Sequence, residues 1–150
     1  MGTLRVAVIN GPNLNMLGVR EPGIYGSETL AQIQDNLTSV AAELDATLDF
    51  FQSNSEGDLV TAVQKLRGAA DGALVNAGAY SHSSIALRDA FAAVSVPFVE
   101  VHLSNVHARE PERHNLVLAG SAIGVVCGLG GYGYEAGLRG LVRNLRARKQ

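Results

Sequence analysis

Cysteine is almost absent from this chain, and the one present, Cys127, lies inside the apolar run AIGVVC. An intrachain disulfide is therefore excluded, and Cys127 is read as an ordinary buried thiol rather than a reactive one. No cysteine pair offers finger or redox spacing, and the histidines fall at no metal-ligand interval, so no metal is expected. Charge is sparse too. Charged residues make up 17% of the chain and the net charge is -2, which gives no global attraction to nucleic acid or an anionic membrane. Any anion site must be built locally. Long apolar runs are missing, which excludes a bilayer-spanning helix, and MGTLRVAVIN lacks the regions of a signal peptide. MGTLRV also lacks the Ser or Thr that a myristoylation signal wants. The expected compartment is the cytoplasm.

What is present is an apolar chain long enough for one core. Hydrophobic residues make up 47% of the 150, so 1–150 is expected to form a single domain. Five short runs read as buried strands: Leu4 to Ile9, Ala46 to Phe51, Gly72 to Asn76, Pro97 to His102 and Ala122 to Cys127. Most are continuously apolar, as strands covered on both faces should be, and Pro97 fits a strand's first residue. Between them run helical patterns. Leu30, Ile33, Leu37, Val40, Ala41 and Leu44 keep one face, and Leu59, Ala62, Val63 and Leu66 follow a Ser55–Asp58 cap. Leu87, Ala90, Phe91 and Val94 repeat the spacing, as do Leu138, Leu141, Val142 and Leu145. Alternating strands and helices predict an α/β doubly wound domain of flavodoxin-like form: five parallel strands in order 2-1-3-4-5, with helices on both faces.

Two segments break that rhythm. Asn10 to Ser27 carries Pro12, Gly18, Pro22, Gly23 and Gly26 and reads as a long mobile loop, with a lid around 18–27. The second, Ser104 to Gly120, contains HAREPERHN.

Polar residues gather where the apolar runs end. Asn10 to Asn13, Asn76 to Gly78 and Glu100 to His102 all fall at the downstream ends of strands, the edge where open parallel sheets bind ligands. Glu100 and His102 are two apart and share a strand face; such a pair suits a positioned general acid or, equally, a structurally satisfied histidine. Tyr25 sits in the lid beside Arg20. A tyrosine titrates near about 10, so as a base it needs a cation such as Arg20 or Arg109 to stabilise its anion; otherwise it is a surface ring. Asn13 and Asn76 offer donors and acceptors, or turn chemistry. Arg109 and Arg113 either grip an anionic or hydroxylated substrate or form a solvated cluster. Asp89 lies off the apolar stripe of its helix and faces solvent or a neighbouring subunit. Gly128 to Gly133 matches dinucleotide-binding spacing, but the chain ends before the next strand and its acid could follow, so it is read as a strand-to-helix turn. Arg139, Arg143, Arg146, Arg148 and Lys149 read as a solvated face.

Taken together, GPNLNMLGVREPGIYG, LVNAGAYSHSSIALRDA and VEVHLSNVHAREPER resemble type II dehydroquinase, and the likeness extends through QSNSEGDL and GLGGYGY. The resemblance implies conversion of 3-dehydroquinate to 3-dehydroshikimate in the shikimate or quinate pathway, with no metal or cofactor. It implies Tyr25 as the base, Arg20 lowering its pKa, and Asn13 holding a water at the enolate or enol. His102, oriented by Glu100, would protonate the departing hydroxyl. Asn76, His82, Leu103, Ser104, Arg109 and Arg113 would hold the substrate. A dodecamer of trimers would bring Asp89 to a neighbouring active site. The family also forms no lysine Schiff base, in keeping with only two lysines here, Lys65 and Lys149.

Departures from the family pattern cluster after Glu112. Ungapped register keeps Arg113 in the arginine position, whereas a one-residue shift places His114 on the family histidine. Ala79-Tyr80-Ser81 stands where Gly, Leu or Phe, and Thr are common. The rival classes are a flavodoxin-like binding module and an inactive homologue. GPNLNMLG lacks the Ser/Thr-rich loop a flavin carrier would need, and the first strand ends in Asn10 rather than the acidic cluster of a receiver. The presence of Tyr25, Arg20 and His102 argues against an inactive homologue.

Overall fold

The five apolar runs pair into one parallel sheet. The structure, a computed structural model, describes residues 2–19 and 21–149, with the backbone alone at Pro22 and Tyr25. Its strands are β1 (Leu4–Asn10), β2 (Ala46–Gln52), β3 (Gly72–Asn76), β4 (Phe98–His102) and β5 (Gly124–Cys127). They lie in the order β2-β1-β3-β4-β5, as the alternation predicted, and every pair is parallel. The inner strands β3 and β4 are buried throughout, because helices cover both faces. The edges differ. β2 alternates half-buried and exposed residues, and β5 is partly exposed along its length. Cys127 is consequently half-buried rather than buried, a correction that follows from its place on an edge strand.

Among the described residues four α-helices lie between strands, the single turn α1 (Pro22–Tyr25), α2 (Leu30–Glu43), α3 (Glu56–Gln64) and α4 (Ile85–Val94), and α5 (Tyr132–Arg148) follows β5. Serine and threonine hydroxyls start three of them, taking up amides that would otherwise be orphaned. Ser55 accepts from Asp58 N–H and Ser84 from Leu87 N–H. At α2, Thr29 and Gln32 form a reciprocal capping box. The apolar stripe of α2 and α5 meets Val8, Leu74 and Val101 on one face of the sheet, and that of α3 and α4 meets Ile9, Val75 and Phe98 on the other. Each fully buried Leu or Phe on these stripes contributes roughly 1.5–3 kcal/mol. Gly137 lets α5 lie close: a Cβ there would come within 2.8 Å of Leu74.

Local differences concern strand starts and loops. Pro97 stays outside β4, although its carbonyl accepts from Ala73 N–H. A 3-10 turn over Ala119–Ser121 delays β5 until Gly124. The segment after β1 is not featureless, since it holds a 3-10 turn (Leu14–Met16) and α1. That after β4 holds 3-10 turns over Val106–Ala108 and Pro111–Arg113. No described helix is long and apolar enough to cross a membrane.

Candidate active site

The strand order reverses between β1 and β3, so the loops leaving their carboxyl ends part and open a crevice. Just before parting they touch. Gly11 N–H donates to the Asn76 carbonyl at 2.7 Å, and a Cβ at Gly11 would lie 2.3 Å from the Ala77 oxygen, so only glycine permits this approach. The pocket beyond is walled by Pro12, Asn13 and Leu14 after β1, and by Asn76 and His82 after β3. β4 and its loop add His102, Leu103, Ser104, Arg109 and Arg113. Eight expected site residues thus share one wall. A wider concavity between β2 and α3 is lined by Phe51, Asp58 and Lys65, but among the described residues it has no histidine, tyrosine or amide. Chemistry favours the smaller pocket.

Glu100 and His102 are the pocket's chemical centre. Glu100 is fully buried and its Oε2 lies 2.5 Å from His102 Nε2. Its other oxygen, Oε1, is buried with no hydrogen-bond partner. His102 is also buried, at 5% exposure, yet reaches the pocket wall. A carboxylate so placed fixes the imidazole tautomer and supports a positive ring. His82 stacks on His102 with ring centroids 6.1 Å apart, and its Nδ1–H donates to the Asn115 carbonyl at 3.0 Å. Burial pushes the His82 pKa below its ordinary value, helped by the nearby positive groups of His102 and Arg113 and opposed by the Asn115 bond. His82 is therefore neutral at pH 7, with Nδ1 carrying the proton.

Two guanidinium groups make the pocket cationic. Arg109 and Arg113 both pair with the Glu110 carboxylate, Arg113 through Nε and Arg109 at 3.7 Å. The backbone amide of Glu110 and then Arg113 hold its carboxyl below the usual value. One anion between two cations fixes their spacing and leaves net positive charge. Arg113 is on the pocket wall, while His114 is exposed and bonds the Arg109 carbonyl at 2.7 Å.

Asn13 adopts a left-handed backbone (φ 69°), which asparagine tolerates. Its N–H donates to Asn54 Oδ1 at 2.9 Å, and the Asn54 carbonyl accepts from the Tyr80 hydroxyl at 2.8 Å. The Tyr80 departure thus ties the loop after β3 to the segment that holds Asn13. Sequence reasoning gave neither Asn54, inside QSNSEGDL, nor the departing Tyr80 this role. It also missed Tyr134, which is 1% exposed. The Tyr134 hydroxyl donates to Asn10 Oδ1 at 2.6 Å and accepts from Asn76 Nδ2 at 2.9 Å. Asp89 is exposed on α4 and does not line the pocket of its own chain. Arg20 and the Tyr25 side chain lie outside the described residues. Among those described, no three His, Cys, Asp or Glu side chains gather as a metal site.

A doubly wound α/β fold with a buried carboxylate–histidine pair and two arginines at its switch point defines an enzyme-like site for a small anion. The model of one family, dehydroquinase class II, matches residues 4–142, and the chain belongs to that family. It is 58% identical to a 3-dehydroquinate dehydratase of Gemmatimonas aurantiaca, covering 97% of this chain and 95% of that one. It is 49% identical to the catabolic 3-dehydroquinase of Aspergillus oryzae, with 97% and 95% covered. The crystal structure of type II dehydroquinase from Propionibacterium acnes superposes with a TM-score of 0.90 at 35% identity, covering 95% of this chain and 98% of that one.

Proposed function

We propose that this chain converts 3-dehydroquinate to 3-dehydroshikimate by eliminating water. The observation that carries the reading is the buried Glu100–His102 pair opening onto a cationic pocket in a chain of this family. Tyr25, with Arg20 lowering its pKa, removes the proton beside the ketone, and the electrons pass to the ketone oxygen as an enolate or enol. Asn13 holds a water against that oxygen. The enolate then collapses, the carbon–oxygen bond breaks, and His102 protonates the departing hydroxyl as water. Glu100 occupies Nε2, so Nδ1 is the nitrogen left to deliver that proton. Asn76, His82, Arg109, Arg113 and the backbone at Leu103 and Ser104 hold the carboxylate and hydroxyls; their convergence on one wall supports this role. Segment 18–27 closes over them as a lid.

The proposal is for the reaction, which serves both the shikimate and quinate routes, in the cytoplasm and without metal or cofactor. The active form is proposed as a dodecamer of trimers, with Asp89 reaching a neighbouring pocket; its exposure on α4 supports that placement. The test is an ultraviolet assay of purified protein with 3-dehydroquinate, following the conjugated product with and without chelator. Turnover that survives chelator is expected, and Tyr25→Phe, which loses only a hydroxyl, should be inactive. Folded, oligomeric protein without turnover would move the reading to an inactive homologue.

A further inference from the structure

Asn76 is more than a pocket residue, because both ends of its amide are already engaged on the sheet side. Gly78 N–H donates to Asn76 Oδ1 at 3.2 Å, and a backbone N–H can only donate, so the oxygen must face Gly78. The other end is therefore the NH2, and it lies 2.9 Å from the Tyr134 oxygen. Two hydrogens cannot point at each other. The Tyr134 hydroxyl must accept from Asn76 and send its own hydrogen onward, to Asn10 Oδ1 at 2.6 Å. Asn10 can then turn only its NH2 away from the chain, and Asn10 Nδ2 is indeed buried without a partner. Every proton direction from Gly78 to Asn10 is thereby set by one backbone amide. Burial pushes the Tyr134 pKa far above its ordinary value, so the hydroxyl keeps its proton across the working pH range.

We propose that Tyr134 is a positioning residue for substrate: by fixing one N–H of the Asn76 amide, it aims the second N–H into the pocket as a stationary donor. This inference rests on the dehydratase reading for the identity of the ligand, but not for the geometry. The donor suits an anionic or hydroxyl oxygen and cannot present an acceptor to it. A phenylalanine at 134 keeps the ring and its packing against the core, yet removes the acceptor of one Asn76 N–H and leaves the amide held by the longer Gly78 bond alone.

The test compares Tyr134→Phe with Asn10→Ala in steady-state turnover of 3-dehydroquinate. Both variants break the buried chain and should lower the melting temperature. Only Tyr134→Phe loosens Asn76, by removing the acceptor of one of its N–H groups, so its KM should rise about tenfold, with kcat within about threefold of the unchanged protein. Asn10→Ala leaves the Tyr134 oxygen in place, and its KM should stay within about twofold. Equal KM in both variants, or a fall confined to kcat, would overturn the proposal and leave Tyr134 a structural residue. Should Tyr134→Phe fail to fold, NMR of the unmodified protein still decides. Slow exchange of one Asn76 side-chain amide proton is expected, and fast exchange of both would overturn the proposal. Absence of turnover by the unmodified protein would count against the dehydratase reading alone, and the same exchange measurement would judge Tyr134.

Discussion

Two buried polar groups flank the pocket from opposite faces of the sheet, and they are built on different chemistry. On the face of α3 and α4, Glu100 and His102 form a pair able to carry charge, with Glu100 Oε1 unpartnered and His102 open to the pocket. On the face of α2 and α5, Asn10, Tyr134 and Asn76 form a neutral chain whose hydrogens all have fixed directions. A charged pair in a low-dielectric site can hold and release a proton, whereas a neutral chain can only hold a donor still. Burial alone therefore does not mark a catalytic group. What separates the two is composition: a carboxylate and an imidazole on one face, amides and a phenol on the other.

That contrast can be broken at several points. Within this contrast the largest effect is expected from His102→Ala, which removes the imidazole proposed to protonate the departing hydroxyl; kcat should fall about a thousandfold. Initial-rate measurements that find normal turnover would remove the general-acid role. Next comes Gly11→Ala, which strikes the contact the two flanking loops share. Its new methyl must displace the Ala77 carbonyl, so the variant should lose about 3 kcal/mol in a denaturant titration. An unchanged midpoint would mean the loops part freely. The smallest effect concerns pH. His82 has a folded pKa below its unfolded one, so as pH falls through the ordinary histidine range the unfolded chain takes up a proton that the folded chain refuses. Stability should decline in that window, and an NMR titration should put the ring below 6.5. A midpoint above 6.5 would contradict the neutral ring assigned beside His102.

Most of the fold was legible because it is written in short-range patterns. Continuous apolar runs marked the central strands, and periodic leucines marked α2 to α5. Edge strands were harder: β2 alternates because one of its faces is open, and β5 starts late because a 3-10 turn occupies Ala119–Ser121. The pocket wall was legible for a related reason. Asn13, Asn76 and His102 sit at or just beyond strand ends, and the topology alone brings such positions together. The Tyr134 chain was not legible. Its partners are 124 and 58 residues away in sequence, and no local spacing signals a hydrogen bond across that distance. The tie from Tyr80 through Asn54 to Asn13 was hidden in the same way. Nor did local spacing signal the turn Pro111–Arg113, which sends His114 back to the Arg109 carbonyl.

On this reading the Glu100–His102 pair governs proton delivery, and the Tyr134 chain governs one donor to the substrate. Measuring kcat and KM for Glu100→Gln and Tyr134→Phe side by side with 3-dehydroquinate separates the two roles. Glu100→Gln keeps the shape but not the charge, and should lower kcat about tenfold or more with little change in KM. Tyr134→Phe should do the reverse, raising KM about tenfold while kcat is nearly kept. Movement of the same kinetic parameter in both variants would contradict this division between the pair and the chain.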